Sequence, residues 1–326
     1  MKKKVVILFG GNSSEHLISC KSAGSILSNI DKDKYDVIPV AISKDNIWYY
    51  YQDEISKIEN WSNAKIEKID NIVSFLQSID VVFPIIHGNT GEDGKIQGFF
   101  ELFDIKYVGS NTLTNSVCLE KEFTKIICSK YNIPVAPYIV VRKNDDIENI
   151  ALPFNYPVIV KPVDSGSSIG INICKNKEEL VKNINYAYKF SNKLLVEKFI
   201  KARELECAVL IDNGNLHITK VGEITYNSEF YDYDSKYVNA GNTYIPSTIP
   251  SSVEQEIHSY IKTVVKILDI KQISRIDFLY DEVNNKVYLI EVNTLPGFTK
   301  TSMYPELLKY DGISYKDLIT NLIENA

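Results

Sequence analysis

The stretch KVYLIEVNTLPG, residues 286–297, runs like a buried strand and then sets Glu291 and Asn293 among its apolar residues. A carboxylate in such surroundings costs several kcal/mol unless something positive meets it. Alternation along a strand puts Val287, Leu289, Glu291 and Asn293 on one face. The run SRIDFLY (274–280) precedes it across the turn DEVNN, and a turn centred on Val283–Asn284 sets Asp277 about opposite Glu291. Two carboxylates and an amide are hard oxygen donors of the kind Mg²⁺ prefers. Because Mg²⁺ keeps waters and borrows phosphate oxygens, the trio implies a nucleotide nearby.

Lys161 is the second costly residue. It closes the strand PVIVKP, where a buried ammonium calls for an anionic partner. SGSSIG (165–170) follows, with glycines and hydroxyls whose backbone N–H groups can cover phosphates, and Lys121 in CLEKEFTK adds another cation. This is neither a GxxxxGK[ST] loop, and nor is FGGNSSE a GxGxxG fingerprint. Farther on, LLVEKFIKARELE (194–206) reads as a hinge whose Glu197 and Glu204 could meet the amino group and ribose hydroxyls of a nucleotide.

The elements that must hold these residues are legible in outline. KVVILFG (4–10) and YDVIPVAIS (35–43) flank the helical spacing of CKSAGSILSNI (20–30), a βαβ beginning. IDVVFPIIHG (79–88) gives another buried strand and GKIQGFFELFDI (94–105) a helix. In such an open parallel sheet, ligands lie off the carboxyl ends of the strands, where GGNSSEH and HGNTGEDG fall. A helix and proline-marked exit (115–137), a strand and loop (156–174), a helix (177–190) and a strand (193–200) then form a smaller α+β unit. The remainder holds strands at 204–212 and 215–225, the tyrosine-dense loop 228–246, a helix over 251–268, the hairpin and a closing helix. The expected fold class is α/β, becoming α+β after the first unit, with domains at 1–110, 111–197 and 198–326. The Lys/Asn/Ile-rich stretch 51–72 is expected to be polar and mobile.

Composition narrows the partners. A formal net charge of −6 over 326 residues disfavours nucleic acid and anionic membranes, which reward a basic face. Five widely spaced cysteines without a CxxC read as reduced thiols of a cytoplasmic protein. The apolar run after MKKK ends within five residues, too short for an export signal or a membrane span.

In chain order, GGNSSEH, HGNTGEDGKIQG, LEKEFTK, VIVKPVDSGSSIG, EKF with ELECAVL, FYDYDSKY, SRIDFLY and EVNTLPGFTKTSMYP together resemble the ATP-grasp ligases and, within them, the D-alanine–D-alanine ligase family. These segments span Gly10 to Pro305, and their joint spacing is specific. The resemblance implies ATP as co-substrate and two Mg²⁺ ions, replaceable by Mn²⁺, held by Asp277, Glu291 and Asn293. It implies Lys121 and Lys161 on the α- and β-phosphates, and Glu197, Lys198, Phe199 and Glu204 around adenine and ribose. Glu15 would receive the ammonium of the first D-alanine, with His87 near its carboxylate. Ser167 and Tyr237 would hydrogen-bond Glu15, and Lys236 would cover the γ-phosphate from loop 228–246, a lid. Arg275 and the Gly297 backbone would meet the oxyanion, Ser302 the second carboxylate, and Met303 would line the acceptor pocket.

The family commonly forms homodimers. Leu17 stands where many members carry an acid, and VDSGSS resembles some vancomycin-resistance ligases. Lys236 and Tyr237 in YDYDSKY match the peptide-forming type, and D-serine-forming relatives often have arginine at the position of Met303. D-alanine is therefore the expected acceptor, with D-serine second. Two alternatives lie outside this reading: a nucleotide-binding regulator without turnover, and a ligase of other acids and amines.

Overall fold

The computed structural model describes residues 2–167, 169–225 and 242–326. Three sheets organise them. The first has the order β4-β3-β2-β1-β5, from β1 (Lys3–Gly10), β2 (Tyr35–Ile42), β3 (Trp48–Tyr51), β4 (Ile66–Lys68) and β5 (Val81–Pro84). Val5 to Phe9 are wholly buried, as a central parallel strand covered on both faces requires. β1 pairs parallel with β2 and β5, whereas β3 and β4 extend the edge antiparallel.

That edge corrects the expectation of a mobile polar stretch at 51–72. Ile58 and Trp61 are buried there against Phe9 and the helix His16–Asn29, whose Gly24 lets Ile58 approach closely. Two apolar anchors suffice to fold a segment that looks polar by composition.

The second sheet, order β6-β9-β7-β8, comprises β6 (Tyr138–Arg142), β7 (Val158–Pro162), β8 (Asn172–Cys174) and β9 (Lys193–Lys198). The helix Lys177–Ala187 buries Leu180, Ile184 and Ala187 on it, and Asn176 caps that helix by accepting from Glu179 N–H. The third sheet contains β10 (Arg203–Asp212), β11 (Asn215–Ile218), β12 (Gly222–Thr225), β13 (Asn242–Tyr244), β14 (Ile273–Asp281) and β15 (Lys286–Asn293). The sequence expectation of one strand at 215–225 resolves into β11 and β12. Likewise, the helix expected after residue 115 is two helices, Thr112–Leu119 and Lys121–Lys130, broken at Glu120.

β14 and β15 form the expected hairpin, and Asp277 lies opposite Glu291. The expected face does not hold. Phe278 pairs with Leu289 and Asp277 with Glu291, so Ile290 is an extra, bulged residue. Ile276, Phe278, Tyr280, Val287, Leu289 and Val292 consequently share one core, while Glu291 and Asn293 turn to the other face with Arg275 and Asp277. Re-aiming a side chain next to a site is a common use of a bulge. The apparent cost of Glu291 in an apolar strand disappears: the carboxylate leaves the core where the strand kinks.

All five cysteines are free and buried. Among the described residues, no helix is long and apolar enough to cross a membrane.

Candidate active site

A cavity of ≈ 370 Å³ opens where the three sheets meet, and it gathers Glu15, His87, Lys121, Ser167, Arg275, Glu291, Asn293, Gly297, Ser302 and Met303. Glu15 enters from the turn after β1. Ser167 Oγ donates a short hydrogen bond to Glu15 Oε1, the contact the resemblance implied. Two glycines make room for this carboxylate: a Cβ on Gly88 would lie 2.7 Å from Glu15 Oε2, and one on Gly166 would lie 3.0 Å away. Gly88 also has φ +73°, a conformation side chains disfavour.

His87 is buried with both ring nitrogens in use. Nδ1 lies 3.2 Å from the Leu295 carbonyl, which can only accept, so Nε2 accepts from Ser22 Oγ at 3.0 Å. Burial lowers its pKa below the ordinary histidine value, against the opposing charge of Glu15. It presents a neutral ring to the cavity rather than a cation.

One wall carries Lys121, with further lysines behind it. Lys121 Nζ donates to the Ser165 carbonyl at 2.8 Å and lies 3.6 Å from Glu291 Oε2. Lys161 and Glu197 do not line the cavity but form a buried ion cluster: Glu197 takes Lys161 at 2.7 Å and Lys125 at 3.0 Å, one on each carboxylate oxygen. Burial pushes the Glu197 carboxyl up, yet the two ammonium groups outweigh it and hold the group below the ordinary range. Lys198, Phe199 and Glu204, at the end of β9 and start of β10, also stand outside this cavity. Lys236 and Tyr237 lie outside the described residues.

On the opposite wall, Arg275 Nε and Nη2 donate to the two oxygens of Asp277 at 2.8 and 2.7 Å, and Asn293 Nδ2 donates to Asp277 Oδ2 at 2.9 Å. The trio of Asp277, Glu291 and Asn293 is thus assembled on adjoining strands. Asn293 spends its amide nitrogen on Asp277, which leaves its oxygen as the atom to offer a cation. Two carboxylates and an amide oxygen fit Mg²⁺, which completes its shell with water and phosphate. Ser302 begins the helix Met303–Tyr310, and its Oγ lies 2.8 Å from Thr299 Oγ1 and accepts from Thr299 N–H.

Models of two families match the chain: the D-ala D-ala ligase N-terminus over residues 4–110, and the D-ala D-ala ligase C-terminus over residues 127–324. The chain belongs to the D-alanine–D-alanine ligase family. Curated relatives of that name from Caldicellulosiruptor bescii and Clostridium novyi are each 42% identical over all of this chain, covering 95% and 98% of their own lengths. Among solved structures, the VanG D-Ala:D-Ser ligase from Enterococcus faecalis has a TM-score of 0.88 at 34% identity, with 99% of each chain covered. The D-alanine–D-alanine ligase from Coxiella burnetii has a TM-score of 0.84 at 29% identity, covering 99% of this chain and 93% of its own. Similarity to these ligases confirms the expected fold class.

Three charged residues of the site escaped the sequence reading. Glu92, in HGNTGEDG, accepts from Gly88 N–H at 2.6 Å, and burial together with the charge of Glu15 pushes its carboxyl up to about 8. Lys125 lies one helical turn from Lys121, an i, i+4 relation that was available as a signal. Glu206 faces the cavity from β10. Only the pairing of β10 with β14 reveals its place, and no local pattern carries that.

Proposed function

We infer that the chain joins two molecules of D-alanine into D-alanyl-D-alanine with ATP, for peptidoglycan precursor synthesis. The observation that carries this reading is a single cavity holding the Glu15–Ser167 pair, the Lys121–Glu291 pair and Arg275, in a chain 42% identical throughout to named D-alanine–D-alanine ligases. A carboxylate is a poor electrophile, so ATP first converts that of one D-alanine to an acyl phosphate, releasing ADP. The amine of the second then attacks, and phosphate leaves. Charge developing on phosphoryl and oxyanion oxygens is met by fixed donors, usually the largest contribution in such chemistry.

In this mechanism Glu15 holds the ammonium of the first D-alanine, kept in place by Ser167. Lys121 and Lys161 meet the phosphates, the latter braced by Glu197. Glu204, Lys198 and Phe199 take the nucleoside. Arg275 and Gly297 N–H meet the tetrahedral oxyanion, and Ser302 orients the second carboxylate beside Met303. Asp277, Glu291 and Asn293 would hold magnesium, two ions in our reading, which supplies positive charge to the phosphate oxygens when bound. The apolar Met303 and the curated relatives favour D-alanine over D-serine as acceptor. We also propose a cytoplasmic homodimer, which sedimentation would test.

Product analysis with ATP, Mg²⁺, D-alanine and competing D-serine decides the reaction. The expected result is D-alanyl-D-alanine formed one-for-one with ADP. ADP release without a dipeptide, or a mixed dipeptide as main product, overturns the reading.

A further inference from the structure

Three carboxylates stand in a row across three hydrogen-bonded strands. Glu206 on β10 is opposite Asp277 on β14, and Asp277 is opposite Glu291 on β15. Like charges directly opposite each other destabilise a sheet, and Glu206 and Asp277 are each only 1% exposed. Such a pair needs a cation of its own. Arg275, two residues before Asp277 on the same face, is that cation. Its Nε lies 3.0 Å from Glu206 Oε2 and 2.8 Å from Asp277 Oδ1, and its Nη2 lies 2.7 Å from Asp277 Oδ2. Both carboxylates therefore stand at the Nε edge of a planar fork, Asp277 taking the Nε and Nη2 protons and Glu206 facing Nε as an opposite charge, while Nη1 is on the other edge of a residue that lines the cavity.

The two grips are not equivalent. Asp277 belongs to the oxygen trio, so its oxygens would be divided between Arg275 and a cation held there. Glu206 lies one strand farther from Glu291 and outside that trio. We propose that Glu206 is a positioning residue that anchors the Arg275 guanidinium from the neighbouring strand and keeps it aimed at the reacting oxygens while Asp277 serves the metal. This rests on the reading of Arg275 as the oxyanion's partner.

The test is a double-mutant cycle on the full-length protein, with E206A, E206Q, R275M and E206A/R275M. Initial rates of ADP and dipeptide formation are measured while ATP, D-alanine and Mg²⁺ are varied in turn, and thermal melting checks folding. R275M is expected to lose roughly a hundredfold or more in kcat, the scale of a lost oxyanion donor. E206A is expected to lose about tenfold or more in kcat with KM for ATP changed by less than about threefold, because the interaction lost acts in the transition state. E206Q keeps the shape but not the charge, and because the one Nε proton goes to Asp277 it should lose about as much kcat as E206A. The double variant should be no slower than R275M, since residues acting as one unit are not additive.

Near-normal kcat in E206A beside a slow R275M overturns the anchoring. So do losses that multiply in the double variant, or an E206A defect that high Mg²⁺ repairs, which would assign Glu206 to the cation. A fully active R275M instead sinks the reading of Arg275, recognisable because Glu206 is untouched in it. Should E206A melt below the assay temperature, E206Q and E206Q/R275M carry the same comparison.

Discussion

Glu197 shows how one buried charge sets the state of its neighbours. Lys125 and Lys161 both close on it inside the wall behind the cavity, and burial pulls the Lys125 ammonium below its ordinary range against the attraction of Glu197. E197Q strands two buried ammonium groups beside each other. It should cost about 3–5 kcal/mol of folding stability, the scale for breaking a buried pair. K125M keeps the closer Glu197–Lys161 pair, so it should cost less than half as much. Urea unfolding of the two variants checks this, and equal losses would show that the cluster is not organised around Glu197. The sequence marked Glu197 as a polar residue with a purpose, and the two lysines that close on it are what the strand pattern alone does not show. Lys125 is not legible as a buried cation because a helical lysine usually carries its charge out to water, and only the tertiary packing of its helix prevents that here.

At the scale of elements, the hairpin shows which part of a strand is readable. The Asp277–Glu291 pairing depends only on where the turn lies, and DEVNN locates that turn. The bulge at Ile290 is different: Ile290 is as apolar as its neighbours, so nothing local tells which residue is in excess. The packing of Leu289 and Val292 into one core decides it. Uninterrupted alternation would bury Ile290 with Val292 and turn Leu289 outward with Glu291. The bulge buries Leu289 and leaves Ile290 half-buried. L289A should therefore cost about 2–5 kcal/mol, as buried leucine truncations do, and I290A well under half of that. Denaturant unfolding separates the two cases, and a larger loss for I290A would mean the strand runs without the bulge.

The whole molecule is tied together by contacts far apart in sequence, the part that local pattern conveys least. The helices Met303–Tyr310 and Tyr315–Glu324 pack Leu307, Leu318 and Leu322 into the same core as Val5, Ile7 and Phe9 of β1, so the end of the chain completes the first sheet. Glu324 fastens this closure: Lys3 lies 2.7 Å from Oε2, while Lys34 and the Tyr35 hydroxyl lie 3.0 and 2.7 Å from Oε1. Hydrogen bonding from Lys3 first, then from Tyr35 and Lys34, lowers its carboxyl from 4.5 to about 2. A depressed folded pKa means that the ionised form stabilises the fold. Its contribution is complete above the unfolded value near 4.5 and is lost as pH falls from there toward about 2. Because Glu324 is 37% exposed, solvent and salt screen the clamp and the effect is modest. E324Q should lower the melting temperature by a few degrees at neutral pH and low salt, and by less in high salt. The gap from the unmodified protein should narrow steadily below pH ~4.5, as both chains come to carry a neutral group at this position. A gap that stays constant down to pH ~2.5 would mean that Glu324 acts through shape and hydrogen bonding rather than charge.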